Sequence, residues 1–185
     1  MLTYLSAVLP QFTSPAARLL ALQCALRADT RGCVRLPAGL LRGMRLHGRT
    51  ELWDELEHAA WLRRRPRRHP HVEAQLLDAA LLYLRPGSRT RARAAHWALH
   101  PVPVAVPAGR TPAMRLAALA LAAHTSGDAG STDLDVLARL CGHVSQQTAE
   151  LLDRLVASHT LTVWRHNLET DEAFWWLPEP PKARF

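Results

Sequence analysis

The feature that most constrains this chain is that it repeats itself. Ser14-Pro15-Ala16-Ala17-Arg18-Leu19 returns as Thr111-Pro112-Ala113-Met114-Arg115-Leu116, and Glu51-Leu52-Trp53-Asp54-Glu55-Leu56 returns as Glu150-Leu151-Leu152-Asp153-Arg154-Leu155, in the same order and at nearly the same separation. Leu41 and Gly43 likewise match Leu140 and Gly142. A two-residue drift between the matches is expected to fall between Asp29 and Leu36 against Ser126 to Leu134. The expectation is two copies of one small domain, so any function must make sense for a pair.

With 185 residues, each copy is large enough for a modest core of its own. The 48% apolar content is that of a folded protein, and no apolar run crosses a bilayer length without an interrupting charge or proline. Met1 to Pro10 is apolar but has no basic leader and no small-residue cleavage site. It reads as a strand or docking segment, and a cytoplasmic, nucleoid-associated protein is expected. Cys24, Cys33 and Cys141 form no CxxC pair and leave an odd count, which argues for buried thiols and against a disulfide framework or a zinc finger. His96 and His100 stand one helical turn apart without a Glu or Cys beside them, so no metal and no cofactor is expected.

The net charge of +7 is unevenly shared. Residues 1 to 109 hold 16 Arg against 7 Asp or Glu, whereas residues 110 to 185 hold 7 Lys or Arg against 9 acids. Of the 23 cations all but Lys182 are Arg, whose planar fork suits phosphate and guanine edges. A high-GC coding bias would also favour Arg, but it does not explain the clustering.

Along the second copy, Thr111-Pro112 reads as a cap followed by proline at the first helical position, opening a helix to about His124 that is apolar enough to be largely buried. Ser126 to Ser131 is loop by composition. A second helix spans Leu134 to Cys141 and stops at Gly142; Ser145 caps a third, from about Gln146 to Ser158. Thr160 to Trp164 and Ala173 to Leu177, around polar Asn167 to Asp171, spell a hairpin. The first copy gives the same order: a helix from Ser14-Pro15 to about Ala28, a short one over Pro37 to Arg42, a third over Arg49 to Ala60, then strands Trp61 to Arg64 and Val72 to Leu77. Between the copies, Asp78 to Tyr83 and Ser88 to Leu99 read as short helices. Pro101 to Pro107 reads as an extended, semi-rigid linker.

Leu137 to Val156 resembles the helix-turn-helix of bacterial winged-helix regulators: a short helix closing on Cys141-Gly142, a hydrophobic residue in the turn, Ser145, the pair Gln146-Gln147, then Thr148 and an amphipathic helix. Leu161 to Leu177 then looks like the wing, and Leu40 to Leu62 looks like the same unit, more diverged. The fold this implies is mainly α with small β-hairpin wings (α+β), as two winged helix-turn-helix domains in tandem. Their expected boundaries are 1–77 and 110–185, with a helical connector and Pro-rich linker over 78–109.

A helix in the major groove reads bases with its first turns. In the second copy those residues are Ser145, Gln146, Gln147, Glu150 and Arg154, although two adjacent glutamines also suit a solvated face. In the first copy the matching positions are His47, Arg49 and Thr50, with Arg45 beside them. That helix continues with Glu51, Asp54, Glu55 and Glu57, which departs from the family pattern because carboxylates repel phosphate. The first wing compensates with Arg63, Arg64, Arg65, Arg67, Arg68, His69 and His71, stiffened by Pro66 and Pro70 and suited to phosphates or a narrow minor groove. Arg89 and Arg93, one helical turn apart, and Arg165 with His166 on the second wing are further backbone candidates. The tryptophans are expected in the core more than in a base-stacking platform.

No glycine-rich phosphate loop, GxSxG, HExxH or acid-base carboxylate pair is present, so an enzyme is not expected. The leading expectation is a sequence-preferring double-stranded DNA-binding transcriptional regulator, with no membrane partner and with a homodimer or a protein partner left open. Two alternatives stand beside it: a winged-helix assembly module of a chromosome-organisation complex, and a plasmid or phage replication initiator.

Overall fold

The computed structural model describes residues 1–65, 72–83, 86–107 and 110–179. The chain is α+β, with two small antiparallel sheets. It folds as two units of matching order, preceded and joined by further helices.

In the first unit α2 (Pro15–Arg27) leads to strand β1 (Cys33–Leu36), helices α3 (Ala38–Gly43) and α4 (Thr50–His58), and strands β2 (Leu62–Arg64) and β3 (Val72–Leu76). In the second, α7 (Pro112–Ala123) leads through the two-residue β4 (Thr125–Ser126) to β5 (Ala129–Asp133), α8 (Leu134–Cys141), α9 (Ser145–Ala157), β6 (Val163–Asn167) and β7 (Glu172–Trp176). The sheets run β1-β3-β2 and β4-β5-β7-β6, so the strand ahead of the second helix pairs with the last strand in both. The registers agree: Val34 lies opposite Ala74 and Thr132 opposite Ala173, with both alanines buried.

Local chemistry explains the ends of these elements. Ser14 Oγ accepts from Ala17 N–H at 3.2 Å and Thr111 Oγ1 from Met114 N–H at 3.3 Å, each ahead of a proline at the first helical position. Asp133 caps α8 through the Val136 N–H at 3.1 Å. Gly142, at φ 70°, ends α8, and the His143 N–H returns to the Ala138 carbonyl. The same closure in the first unit runs from Leu46 N–H to the Leu41 carbonyl, and the left-handed residue there is Arg45, at φ 59°.

Gly43 therefore does not occupy the place of Gly142, although the sequences align them. The drift between the copies falls after this closure and not in the loop after the first helix: Glu51 lies six positions after Arg45 and Glu150 eight after Gly142, because α9 has an extra first turn from Ser145 that outweighs the longer turn ahead of α4.

Several other expectations change. Of the two readings of Met1 to Pro10, the segment docks but is not a strand: α1 (Leu2–Val8) buries Leu5, and Leu9 follows it into the core. Strands β1 and β5 form in segments read as loop. Ser145 is the first residue of α9 and not its cap; Val144 holds that place, and the Gln147 Oε1 accepts from its N–H at 3.3 Å. In the connector, α5 (Ala79–Tyr83) and α6 (Ser88–Trp97) contribute Leu81 and Ala95 to the first core, and Ala98 at the end of α6 joins them. The proline-rich stretch is anchored by Val104, fully buried in the second core. Cys24 and Cys141 are buried and Cys33 half-buried, all as free thiols.

The two units meet through equivalent elements. Helix α2 is buried on every side from Ala16 to Leu26, and α7 nearly so, because each packs on its own unit with one face and on its counterpart with another. Leu119 of α7 joins the first core, and Leu2 and Trp97 touch both. Arg115 on α7 reaches back to donate to the Gly43 carbonyl at the end of α3 and to the Leu99 carbonyl at 3.2 Å. Its counterpart Arg18 on α2, 2% exposed, donates to the carbonyls of Pro10, Gln11 and Thr13 and lies against Gly142 at the end of α8. Each first-helix arginine thus holds the segment ahead of its own unit and touches the helix end of the other. Contacts that recur in both directions define a pseudo-two-fold relation.

Candidate nucleic-acid interface

The third helix of each unit carries an outward face whose character is set by what the rest of the unit takes from it. In α9, Thr148, Leu151, Leu152 and Leu155 point into the core, and the Thr148 hydroxyl donates to the Val144 carbonyl at 3.1 Å. Gln146, Gln147, Glu150 and Arg154 are exposed. Gln146, Glu150 and Arg154 form a linked row, with Gln147 beside it: Gln146 Nε2 donates to Glu150 Oε1 at 3.4 Å, and Arg154 stands 3.7 Å from Glu150. Ser145 is half-buried, with its hydroxyl donating to Asp135.

The hairpin beside this face is tied to it. Trp164 on β6 donates its indole N–H to Asp153 Oδ1 on α9 at 2.7 Å, which fixes the strand pair against the helix. Arg165 is exposed and lies over the Trp176 ring, 5.9 Å from its centre, a cation–π contact that orients the guanidinium. His166 pairs with Asp171 at 2.7 Å. Trp175 is fully buried while Trp176 is exposed, the alternation expected of a sheet with one covered face.

In the first unit the carboxylates of α4 have partners inside the molecule. Arg64 on β2 donates through Nε to Glu57 Oε2 at 2.9 Å and also reaches Asp54. Its backbone N–H donates to Glu57 Oε1 at 2.6 Å. These bonds hold the Glu57 carboxyl below the usual carboxylate range. Glu55 accepts from the Ser14 hydroxyl at 2.8 Å and from its N–H, joining α4 to the start of α2. Glu51 accepts from Arg49 at 2.8 Å.

Of the base-reading candidates on this unit, His47 and Thr50 are exposed and Arg49 is half-buried. Among the backbone candidates, Arg63, Arg65, Arg89 and Arg93 are exposed and Arg64 is spent on α4. Arg67, Arg68, His69 and His71 lie outside the described residues.

Sequence reasoning missed Arg18, Arg115, Asp153 and the arginines around β1. The first two carried a signal, since an arginine embedded at the same place in two apolar helices asks for a buried acceptor.

Among the described residues, Asp133, Asp135 and Asp171 bring carboxylate oxygens within 4.8 Å of one another. Each has a role already, as the cap of α8, the acceptor of Ser145 and the partner of His166. His143, in the turn before α9, is held below the usual imidazole range by burial, with Arg154 and Arg18 adding to the effect. Among the described residues no helix is long and apolar enough to cross a membrane. No protein-family model matches the chain, and neither do any curated protein or solved structure.

Proposed function

We propose that this protein binds double-stranded DNA through two winged helix-turn-helix domains, 1–77 and 110–185, and acts as a sequence-preferring transcriptional regulator. The observation that carries the reading is the outward row on α9. Gln146, Gln147, Glu150 and Arg154 stand free of the core at the start of a helix, braced by a hairpin through the Trp164 to Asp153 bond. Glutamine pairs bidentately with adenine and arginine with guanine, which suits that row to the major groove. Element order and sheet order, recurring in both units, support the assignment of the hairpins as wings. Arg63, Arg65, Arg89, Arg93 and Arg165 are exposed cations available to phosphates, with His166, Arg67, Arg68, His69 and His71 as further candidates. Arg64 serves the fold.

The pseudo-two-fold relation adds a stoichiometric consequence. One chain presents two related helices as a dimer would, so it acts as a monomer on a site with two unequal halves. The first-unit half is the weaker reader, because His47, Arg49 and Thr50 are followed by acids.

Titrating labelled duplex with protein over a salt series tests this reading. Each phosphate neutralised contributes about −0.9 to the slope of log affinity against log salt. Either no binding at low salt or a slope near zero would reject it. The acidic face of α4, where Glu51 and Asp54 keep about half their side-chain surface in solvent, favours a second reading: a winged-helix assembly module whose partner is basic. Failure to bind DNA together with stoichiometric recovery of one protein partner would favour that reading.

A further inference from the structure

On the outer face of the first sheet the chain forms an open cavity of about 470 Å³ lined by Arg27, Arg31, Arg35 and Arg65 with Asp29 and Glu73. Four arginines line it, from the end of α2, the following loop, β1 and the residue after β2. The two carboxylates offset only half of this charge, which leaves a net excess of two positive charges. Asp29 Oδ1 accepts from the backbone N–H groups of Arg31 and Cys33, both at 2.8 Å, so it shapes the loop; Glu73 pairs with Arg35 at 3.0 Å. Arg27, Arg31 and Arg65 form no ion pair with a carboxylate among the described residues.

Arg27 and Arg65 are held by side-chain amides, which orient a cation without neutralising it. Gln23, fully buried, accepts from Arg27 Nε at 3.0 Å and donates to the Ala95 carbonyl. Gln75 accepts from Arg65 at 2.7 Å and from the Cys33 thiol at 3.1 Å, and donates to the Arg31 carbonyl at 2.6 Å. One amide thereby orients the Arg65 guanidinium and ties it to the loop backbone at Arg31 and to β1. Partial desolvation of Arg27, which lowers its pKa, leaves a cation whose hydration is incompletely replaced by the protein.

We propose that this cavity is a binding site for a compact multivalent phosphate anion, a free diphosphate or the diphosphate tail of a small ligand. Planar guanidinium forks meeting from several sides match phosphoryl oxygens, and the cavity size is that of small-ligand sites. A concave site takes in such a ligand, whereas a duplex backbone is met by exposed tips and helix ends. The inference stands apart from the DNA reading and does not need it.

Isothermal titration of the full chain with inorganic pyrophosphate at fixed ionic strength tests it, with sulfate and a short duplex as parallel arms. The expected result is one pyrophosphate per chain, bound more tightly than sulfate and weakened about tenfold by R65Q or R31Q, the loss of one charge-assisted bond. Arg42→Gln, an equal charge change at an exposed position outside the cavity, should leave it unchanged. R31Q removes an exposed side chain and so remains informative if substitutions at more packed positions unfold the protein. Non-saturating binding equal to that of sulfate, or equal losses in R42Q and the cavity variants, would overturn the site. Absence of pyrophosphate binding with duplex affinity lost in the cavity variants would also overturn it, and would assign these arginines to a nucleic-acid backbone.

Discussion

The Arg115 guanidinium donates to the Gly43 carbonyl at 2.5 Å across the junction of the two units, and Arg18 lies against Gly142 in the reciprocal contact. The aligned glycines are not interchangeable, however. Gly142 is left-handed, and a Cβ there would collide with the Thr13 carbonyl and the Arg18 side chain; Gly43 has neither constraint. G142A is expected to cost about 2 to 4 kcal/mol, combining left-handed backbone strain with overpacking. G43A should stay within about 0.5 kcal/mol of the parent. Urea denaturation of both variants measures the difference.

The residue in the structural place of Gly142 is Arg45, at φ 59°, and Ala60 holds the left-handed position after α4, at φ 51°. Both are exposed. Replacing either by glycine relieves a Cβ penalty, so R45G and A60G should each stabilise the protein by up to about 1 kcal/mol despite the added freedom of the unfolded chain. Lower thermal midpoints in both would show that the unfolded-state term wins.

How much of this was legible in the sequence depended on the range of the interaction concerned. Ser14, Thr111, Asp133 and Gly142 act on backbone a few residues away, so the helices they bound could be read directly. Strands β1 and β5 could not. Each is short, and becomes a strand only because β3 or β7, about 40 residues later, offers it a ladder. Likewise α1 is helical against α2 and α8, contacts that its seven residues do not announce. At the candidate interface the exposed row on α9 followed from helical spacing. The withdrawal of Arg64 onto Glu57 and Asp54 did not, because it joins a strand to a helix through side chains alone.

That ion pair separates two neighbouring arginines. Arg64→Ala should cost about 1 kcal/mol in stability, a modest figure because a third of the side chain is in solvent. It should also weaken DNA binding by returning two uncompensated carboxylates to the α4 face. Arg63→Ala, at an exposed position, should leave stability unchanged and reduce the salt slope. Paired denaturation and anisotropy titrations distinguish the two effects.

Acidification should destabilise the fold in two stages. His143 has a depressed folded pKa, so the unfolded chain takes up its proton first, and stability falls as pH drops through the usual imidazole range. Glu57 is depressed too, so the stability it gives is full above the usual carboxylate range and is lost as pH falls below it. His143→Gln should abolish the first stage and leave the second, in thermal melts recorded from neutral pH to strongly acid.

Trp164→Phe keeps the ring and removes the donor to Asp153. The expected loss is about 1 kcal/mol, with faster amide exchange along β6 and β7 and weaker DNA binding from a looser hairpin.

The central claim, that α9 reads bases, is tested most directly by selecting binding sites from a pool of random duplexes with the parent protein and with the Gln146→Ala, Gln147→Ala double variant. The account predicts a discrete motif for the parent, bound by one chain, and loss of preference at adjacent base pairs of that motif in the variant, with affinity for non-specific duplex retained. No enriched motif for the parent, or the same motif with the same preference for both proteins, would contradict it.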